Sequence, residues 1–338
     1  MHTDLLAAGG RPPAFHTREE PARPMVAYEL RPFRDADAAV VCALQARHAA
    51  HDGADALSTV EPLPEPEAVR ARVAAADWAA VAHDGNGSVV GWGLLRSWTE
   101  DDGTRVHLTD GYVAPPVRGR GLGRRLLAEA ESAAARHAGA GPEVLGGNAS
   151  DVQPDRAALL ERAGYRPVFT MVEMEHDGSA VPVRPLPEGV AVRAAVVGDA
   201  VALRALAGRA WAGRPYSALP TAEQFGHWLG RSDLDLFQVA TLGGRAVGFV
   251  AATRGPGRAE IDDVQVDPDV QRRGLASAML TRTLGALAGP GATTIRLHTE
   301  GHDPVGARSL YERLGFRVIR EHHRYRKPLT SAVGSTLP

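Results

Sequence analysis

A chain of 338 residues exceeds the roughly 100–200 residues of one compact domain, and its 44% apolar content lets each of two halves bury a core. The net charge of −2 gives no basic field for nucleic acid, and the one cysteine, Cys42, excludes an intrachain disulfide framework and fits a reducing cytoplasm. No run reaches the ~18 apolar residues of a membrane span, and the first residues lack the charged start and apolar stretch of a signal peptide. The expectation is a cytoplasmic protein without membrane or nucleic-acid partners.

Residues 1–25 hold Gly9-Gly10, Pro12-Pro13, Pro21 and Pro24 among charges, a composition that predicts a disordered leader. A first half follows over 26–178. It reads as a strand at 27–32, an alanine-rich helical region, strands at 78–83, 88–97 and 105–113, a helix at 121–137, a strand at 143–147, a helix at 154–163 and a closing strand. Residues 178–187, with three prolines, read as a linker. The second half, 181–328, repeats the order: strands at 191–194, 236–242, 245–253 and 259–266, a helix at 274–287, a strand at 293–299, a helix at 304–314 and a final strand. Residues 329–338 read as a flexible tail.

The two halves share more than element order. Leu30-Arg31 and Asp37-Ala38 recur as Val192-Arg193 and Asp199-Ala200, and Val89-Val90-Gly91-Trp92 recurs as Ala246-Val247-Gly248-Phe249. Glu161-Arg162-Ala163-Gly164-Tyr165-Arg166 recurs as Glu312-Arg313-Leu314-Gly315-Phe316-Arg317. The period is that of a duplicated domain, far above that of a solenoid. The pattern predicts two α/β (α+β) domains in tandem, each a mixed, mostly antiparallel sheet flanked by helices.

In each half a strand runs into a glycine-containing loop and then a helix: Arg118-Gly119-Arg120-Gly121-Leu122-Gly123, and Gln271-Arg272-Arg273-Gly274-Leu275-Ala276. The N-terminus of a helix leaves amide donors unpaired and carries partial positive charge, and glycine lets an anion approach the backbone. The physical reading is a pyrophosphate cradle. A P-loop would need Gly-Lys-Ser/Thr and a dinucleotide fingerprint would open a βαβ unit; neither loop fits.

On these loops, and on Ala307-Arg308-Ser309-Leu310-Tyr311-Glu312-Arg313-Leu314-Gly315-Phe316, the chain resembles the GCN5-related N-acetyltransferase family, whose signature is Gln/Arg-x-x-Gly-x-Gly/Ala after the fourth strand. The tandem arrangement resembles that of two-copy members. The resemblance implies acetyl-CoA as co-substrate and no metal. The amides of Arg272, Arg273, Gly274, Leu275 and Ala276, behind Gln271, would hold the diphosphate, and the backbone of Val264 and Val266 would pair with the pantetheine arm. In the first half Val113, Arg118, Gly119, Arg120, Gly121, Leu122 and Gly123 would hold a second CoA.

Direct acetyl transfer needs a neutral amine, and an alkyl amine with a pKa near 10.4 arrives protonated. The strand before the second cradle reads Glu260-Ile261-Asp262-Asp263-Val264, and simple alternation puts Glu260, Asp262 and Val264 on one face and Asp263 on the other. Mutual repulsion should raise at least one of these carboxyl pKa values. Glu260 resembles the family's strand base and ranks first, Asp262 second and Asp263 third. Tyr311 resembles the acid that protonates the leaving thiolate, although Asp303 stands where the family usually carries Asn. In the first half His107, Thr109, Asp110 and Leu160 stand opposite Glu260, Asp262, Asp263 and Tyr311, so this half is expected to bind CoA or support the fold without turnover.

The expected acceptor is a primary amine of a small molecule, its pocket built by segments 40–75 and 205–232, with Trp211 and Tyr216 either shaping it or packing helices. A protein or peptide N-acetyltransferase and a non-catalytic CoA-binding module are the alternatives. The chain is expected to be a monomer or homodimer.

Overall fold

The computed structural model describes residues 28–255, 257–288, 292–302 and 306–329. The expected leader, all of the expected tail beyond Leu329, and Asp303 lie outside the described residues. The first half consists of β1 (Glu29–Pro32), α1 (Ala38–Asp52), α2 (Pro66–Ala74), β2 (Trp78–His83), β3 (Val89–Thr99), β4 (Arg105–Val113), α3 (Leu122–Arg136), β5 (Glu143–Ser150), α4 (Pro154–Arg162) and β6 (Arg166–His176). The second consists of β7 (Val190–Ala194), α5 (Ala200–Trp211), α6 (Ala222–Arg231), β8 (Gln238–Leu242), β9 (Arg245–Gly255), β10 (Gly257–Val266), α7 (Leu275–Leu287), β11 (Ala292–Glu300), α8 (Ala307–Arg313) and β12 (Arg317–Pro328).

The sequence repeat has a physical counterpart at the start of each half. Arg31 grips both oxygens of Asp37 at 2.7 Å, and Arg193 grips Asp199 at the same distance. Each aspartate also accepts from a backbone amide, Arg34 or Val196, at 2.8 Å. A bidentate guanidinium–carboxylate pair fixes orientation as well as distance, so the first strand of each half is tied to the start of its first helix.

The helices cover both faces of the sheet. In the second half, α5 and α6 pack Leu203, Leu206, Phe225 and Leu229 against Phe237, Val239 and Phe249. On the other face α7 and α8 pack Leu275, Met279, Leu280, Leu284 and Tyr311 against Val250, Ile261, Ile295 and Leu297. In α3 the buried residues Leu122, Leu126, Leu127, Ala130, Ala133 and Ala134 form one helical stripe. The linker lies along α7: the Arg184 amide donates to Thr281 Oγ1 at 3.1 Å, and Arg282 donates to the Arg184 carbonyl at 2.7 Å.

The closing strands depart from the expectation that each completes its own half. The strand order is β1-β2-β3-β4-β5-β12-β6-β11-β10-β9-β8-β7, one continuous sheet. The last strand of the chain, β12, pairs with β5 of the first half, while β6 pairs with β11 of the second; β6 and β12 pair antiparallel at the centre. Side chains follow the backbone. Val172 and Met174 of β6 are fully buried in the second half's core, and Tyr325 of β12 is buried among Leu145, Ala149 and Leu160 of the first. Each such apolar side chain contributes about 1.5–3 kcal/mol by burial. Neither half has a complete sheet without the other's strand.

This exchange predicts the behaviour of a cut chain. A protease site inserted after Ser179 and cleaved is expected to leave one native species by size exclusion and two fragments only under denaturing conditions. Separation of the fragments in native buffer would contradict the interleaved sheet.

Candidate active site

The site begins where two parallel strands part. β10 pairs with β11 from Gly257↔Ala292 to Glu260↔Arg296 and no further, while its antiparallel pairing with β9 continues to Val266↔Gly248. The amide of Asp267 donates to the Val247 carbonyl. In an antiparallel ladder alternate residues direct their N–H and C=O to the same neighbour, so Gln265 faces β9 and Val264 and Val266 face the open side. The Val266 carbonyl on that side accepts from the Gln271 side-chain amide at 3.1 Å. This bond pins the loop between β10 and α7.

Within that loop Arg272 has φ +63° and Gly274 φ +84°. Left-handed residues set between right-handed ones turn successive amides toward one point, a concavity suited to an anion. Gly274 is the N-cap of α7 and no side chain caps the helix, so the first-turn amides stay available. A Cβ on Gly274 would meet nothing within 4 Å, which leaves the space above the amides open. The Arg272 guanidinium reaches to 3.0 Å from where a Cβ of Gly306 would stand, at the start of α8. The first half repeats the geometry with Gly119 (φ +73°) and Gly121 (φ +86°), and Arg118 Nε donates to the Val113 carbonyl at 3.4 Å, the counterpart of the Gln271 bond.

A cavity of about 970 Å³ runs from the second cradle through the gap between β10 and β11. Its wall takes Val264, Val266, Gln271, Arg272, Gly274, Leu275 and Ala276, then Tyr311, Asp262 and Asp263, and beyond them Phe169, Met171, Trp211, Arg214, Tyr216, His298, Glu300 and Arg324. Glu260 is not part of that wall. It stands one strand-turn earlier beside Arg258 (3.6 Å) and across from Arg296.

The faces of β10 are not those that simple alternation predicts. Its register against β9 shifts between Ile261 and Asp263: Glu260 opposes Thr253 and Asp263 opposes Ala251. Thr253 and Ala251, two apart on β9, share a face, so Glu260 and Asp263 share it too, while Val264 lies on the opposite one. A β-bulge inserts one residue and reverses the facing of every residue beyond it on the strand. The extra residue, Asp262, accepts from Thr253 Oγ1 at 2.6 Å. Burial, reinforced by the Asp262 carboxylate, pushes Glu260 up to about 7. Burial pushes Asp263 up to about 6 against the opposing bond from the Gln265 amide at 2.6 Å, and raises Asp262 as well.

The first half has a cavity of about 630 Å³ over its own cradle, with other chemistry. β4 pairs with β3 without a shift. His107 is wholly buried, its ring nitrogens held by Ser97 Oγ (2.7 Å) and Glu143 Oε2 (2.9 Å), which leaves no nitrogen for a substrate. Asp110 is clamped by Arg72 (2.5 Å) and Arg156 (3.0 Å); despite burial these cations hold its carboxyl well below the usual range. Arg156 occupies the place of Ala307 and lies over the Tyr112 ring at 5.3 Å. Leu160, opposite Tyr311, fills the core so closely that a Cβ on Gly147 would meet its Cδ2 at 2.6 Å. Arg118 turns inward to Asp52 (2.6 Å) and His48 (2.6 Å).

The halves also meet behind Glu260. Arg296 bonds Asp55 (2.6 Å) and Glu175 (2.9 Å), Glu173 accepts from Ser58 Oγ (2.9 Å) and the Thr59 amide (2.7 Å), and Arg258 donates to the Leu57 carbonyl. A loop of the first half thus braces the strand pair that carries Glu260. Sequence reasoning missed this brace and the cavity roles of Phe169, Met171, Arg214 and Arg324. Among the described residues no group of three or more His, Cys, Asp or Glu is placed to hold a metal, and no helix is long and apolar enough to cross a membrane.

The comparisons with known proteins converge on one group. The sequence profile of the acetyltransferase (GNAT) family matches residues 51–165 and again 202–316. A protein of Tsukamurella paurometabola named mycothiol acetyltransferase is 32% identical over 231 residues, covering 64% of this chain and 76% of its own length. One of the same name from Clavibacter sepedonicus is 28% identical over 333 residues, covering 93% and 99%. The crystal structure of a GCN5-related N-acetyltransferase from Sphaerobacter thermophilus superposes with a TM-score of 0.72 at 25% identity, covering 89% of this chain and 96% of that one.

The raised carboxyl pKa values make a prediction about stability. A carboxyl whose folded pKa exceeds its unfolded value binds more protons in the native state, so stability falls as pH rises from about 4.5 to about 7. Glu260→Gln should remove part of that fall, making the protein about 1–3 kcal/mol more stable than wild type at pH 8 and little different at pH 4.5. Urea titrations at the two pH values read this out, and an equal shift at both would contradict the assignment.

Proposed function

The chain belongs to the GNAT acetyltransferase family and is an N-acetyltransferase; from that premise we propose that its second half moves the acetyl group of acetyl-CoA to the primary amine of a small molecule. One observation carries this. A single cavity brings together the uncapped helix mouth, the free edge of β10, the Tyr311 phenol and carboxyls with raised pKa, whereas the matching places of the first half hold clamped or apolar side chains. The first half is then a structural partner whose cradle retains room for a second diphosphate.

The fit of acetyl-CoA rests on the open cradle above Gly274 and on the open side of β10 at Val264 and Val266, which no strand pairs; the Val264 amide there donates to the neighbouring Asp263 carboxylate. When bound it supplies an activated thioester carbonyl. In this reading the amides of residues 272–276 hold its diphosphate and those of Val264 and Val266 its pantetheine arm, as an added strand. An amide on this edge also stabilises negative charge on the carbonyl oxygen. The incoming ammonium loses its proton through water to Glu260, whose pKa lies near neutrality, while Asp262 and Asp263 at the cavity wall attract its positive charge. Nitrogen then bonds the acetyl carbon as the C–S bond breaks, and Tyr311 gives its proton to the sulfur. The aromatic wall of Trp211, Tyr216 and Phe169 supports a small acceptor over a peptide.

A thiol-release assay over a panel of amines that includes desacetyl mycothiol tests the proposal. Tyr311→Phe and Glu260→Gln should each lower kcat by about 100-fold or more. The wild-type kcat/KM should rise with pH and level off above about 7, following the deprotonation of Glu260. Activity indifferent to both substitutions would overturn the residue roles.

A further inference from the structure

The far end of the second-half cavity, away from the cradle, contains a cation that the transfer chemistry does not use. Arg324 lies on β12, the exchanged strand, and lines the cavity wall. Its Nη1 donates to the Tyr216 carbonyl at 3.1 Å and its Nη2 to Met171 Sδ at 3.1 Å, and its Cζ stands 5.1 Å from the Phe169 ring. A guanidinium has five N–H donors, and thioether sulfur is a weak acceptor. Three of its five N–H donors therefore have no acceptor among the described residues, and the side chain lines the cavity.

No carboxylate lies within salt-bridge distance of Arg324 among the described residues. The two acids whose charge favours the charged form of Arg324 are already paired: Glu100 with Arg326 at 2.6 Å and Glu300 with Arg214 at 3.6 Å. Burial and the neighbouring Arg326 both disfavour the charged form of Arg324. A half-buried cation without an anion is costly unless something supplies the charge.

The surroundings of Arg324 are built. Tyr216 has φ +60°, a conformation unfavourable for a residue with a side chain, which turns its carbonyl to Arg324. Its ring stands 5.4 Å from that of Phe169, and Arg326 lies over it at 5.7 Å. Backbone strain of this kind persists only where the surroundings enforce it, and it concentrates at binding sites.

We propose that Arg324 binds an anionic group, carboxylate or phosphate, on the acceptor, and that the preferred acceptor carries such a group at the end remote from its amine. The proposal rests on the amine-acetylation reading and adds the substrate class. Asp262 and Asp263 attract the ammonium end of such a molecule and Arg324 its anionic end, so one cavity selects amine-containing anions.

The test uses the full chain, wild type and Arg324→Gln, with matched amines: β-alanine against β-alaninamide, phosphoethanolamine against ethanolamine, and desacetyl mycothiol as a further acceptor without an anion. Thiol release from acetyl-CoA measures turnover, and quenching of the cavity tryptophans Trp211 and Trp228 measures binding without it. The wild type should favour at least one anionic member over its neutral partner by about tenfold or more in kcat/KM, and the carboxylate and phosphate pairs show which anion is used. Arg324→Gln should bring that ratio near unity through KM, with the neutral amine changed by about twofold at most. Arg324→Lys should restore part of the preference. Preference for neutral amines, or equal loss on both members of each pair, overturns the proposal. If no amine is acetylated but β-alanine or phosphoethanolamine quenches wild type and not Arg324→Gln, the anion site stands and the acetylation reading falls. No turnover and no quenching overturns both.

Discussion

The parting of β10 from β11 is the constraint on which the rest of the site depends. Parallel strands that stayed paired to their ends would consume the amides of Val264 and Val266 and close the route from one face of the sheet to the other. Pairing stops at Glu260↔Arg296, and the Asp262 bulge comes at once. The freed edge, the phase reversal that brings Asp263 to the face of Glu260, and the cavity through the sheet all begin at this point. The cradle completes it, because the Gln271 bond to Val266 fixes the loop against the last residue of the open edge.

The first half shows what the same backbone does when the side chains change. Its strands also part, after Leu108↔Gly146, and its loop keeps two left-handed glycines. Yet β4 has an unshifted register with β3, Asp110 is held by two arginines, and Leu160 fills the place of a phenol. These contacts tie up Asp110 and bury an apolar side chain at the positions opposite Asp263 and Tyr311. The half still serves the site: Ser58 and Thr59 hold Glu173, Asp55 holds Arg296, and β6 contributes Phe169 and Met171 to the cavity. The second-half cavity therefore draws on both halves of the chain.

What the sequence revealed and what it concealed divide along physical lines. The repeat, the two glycine loops before α3 and α7 and the element order were legible because local chemistry enforces them: the Arg31–Asp37 and Arg193–Asp199 pairs, the glycines at positive φ, and the apolar stripe of α3. The bulge was not legible, since Glu260-Ile261-Asp262-Asp263 reads as plain alternation and a one-residue insertion leaves no mark in residue types. Nor was the exchange of β6 and β12, because which strand pairs with β5 or β11 is decided by packing that either strand's composition would satisfy. Arg324 sits among Arg320, Arg326 and Lys327 on one strand, and nothing in their spacing distinguishes the residue that lines the cavity from those paired with Asp151, Glu100 and Glu131. Trp211 and Tyr216 were open between pocket and packing, and the cavity wall includes both.

The central claim is that main-chain amides at the mouth of α7 and along the free edge of β10 hold acetyl-CoA. Amide hydrogen exchange on the full chain, with and without saturating acetyl-CoA, addresses those atoms directly. The account predicts slowed exchange across residues 272–276 and at Val264 and Val266. Bound acetyl-CoA with unchanged exchange in both segments would contradict it.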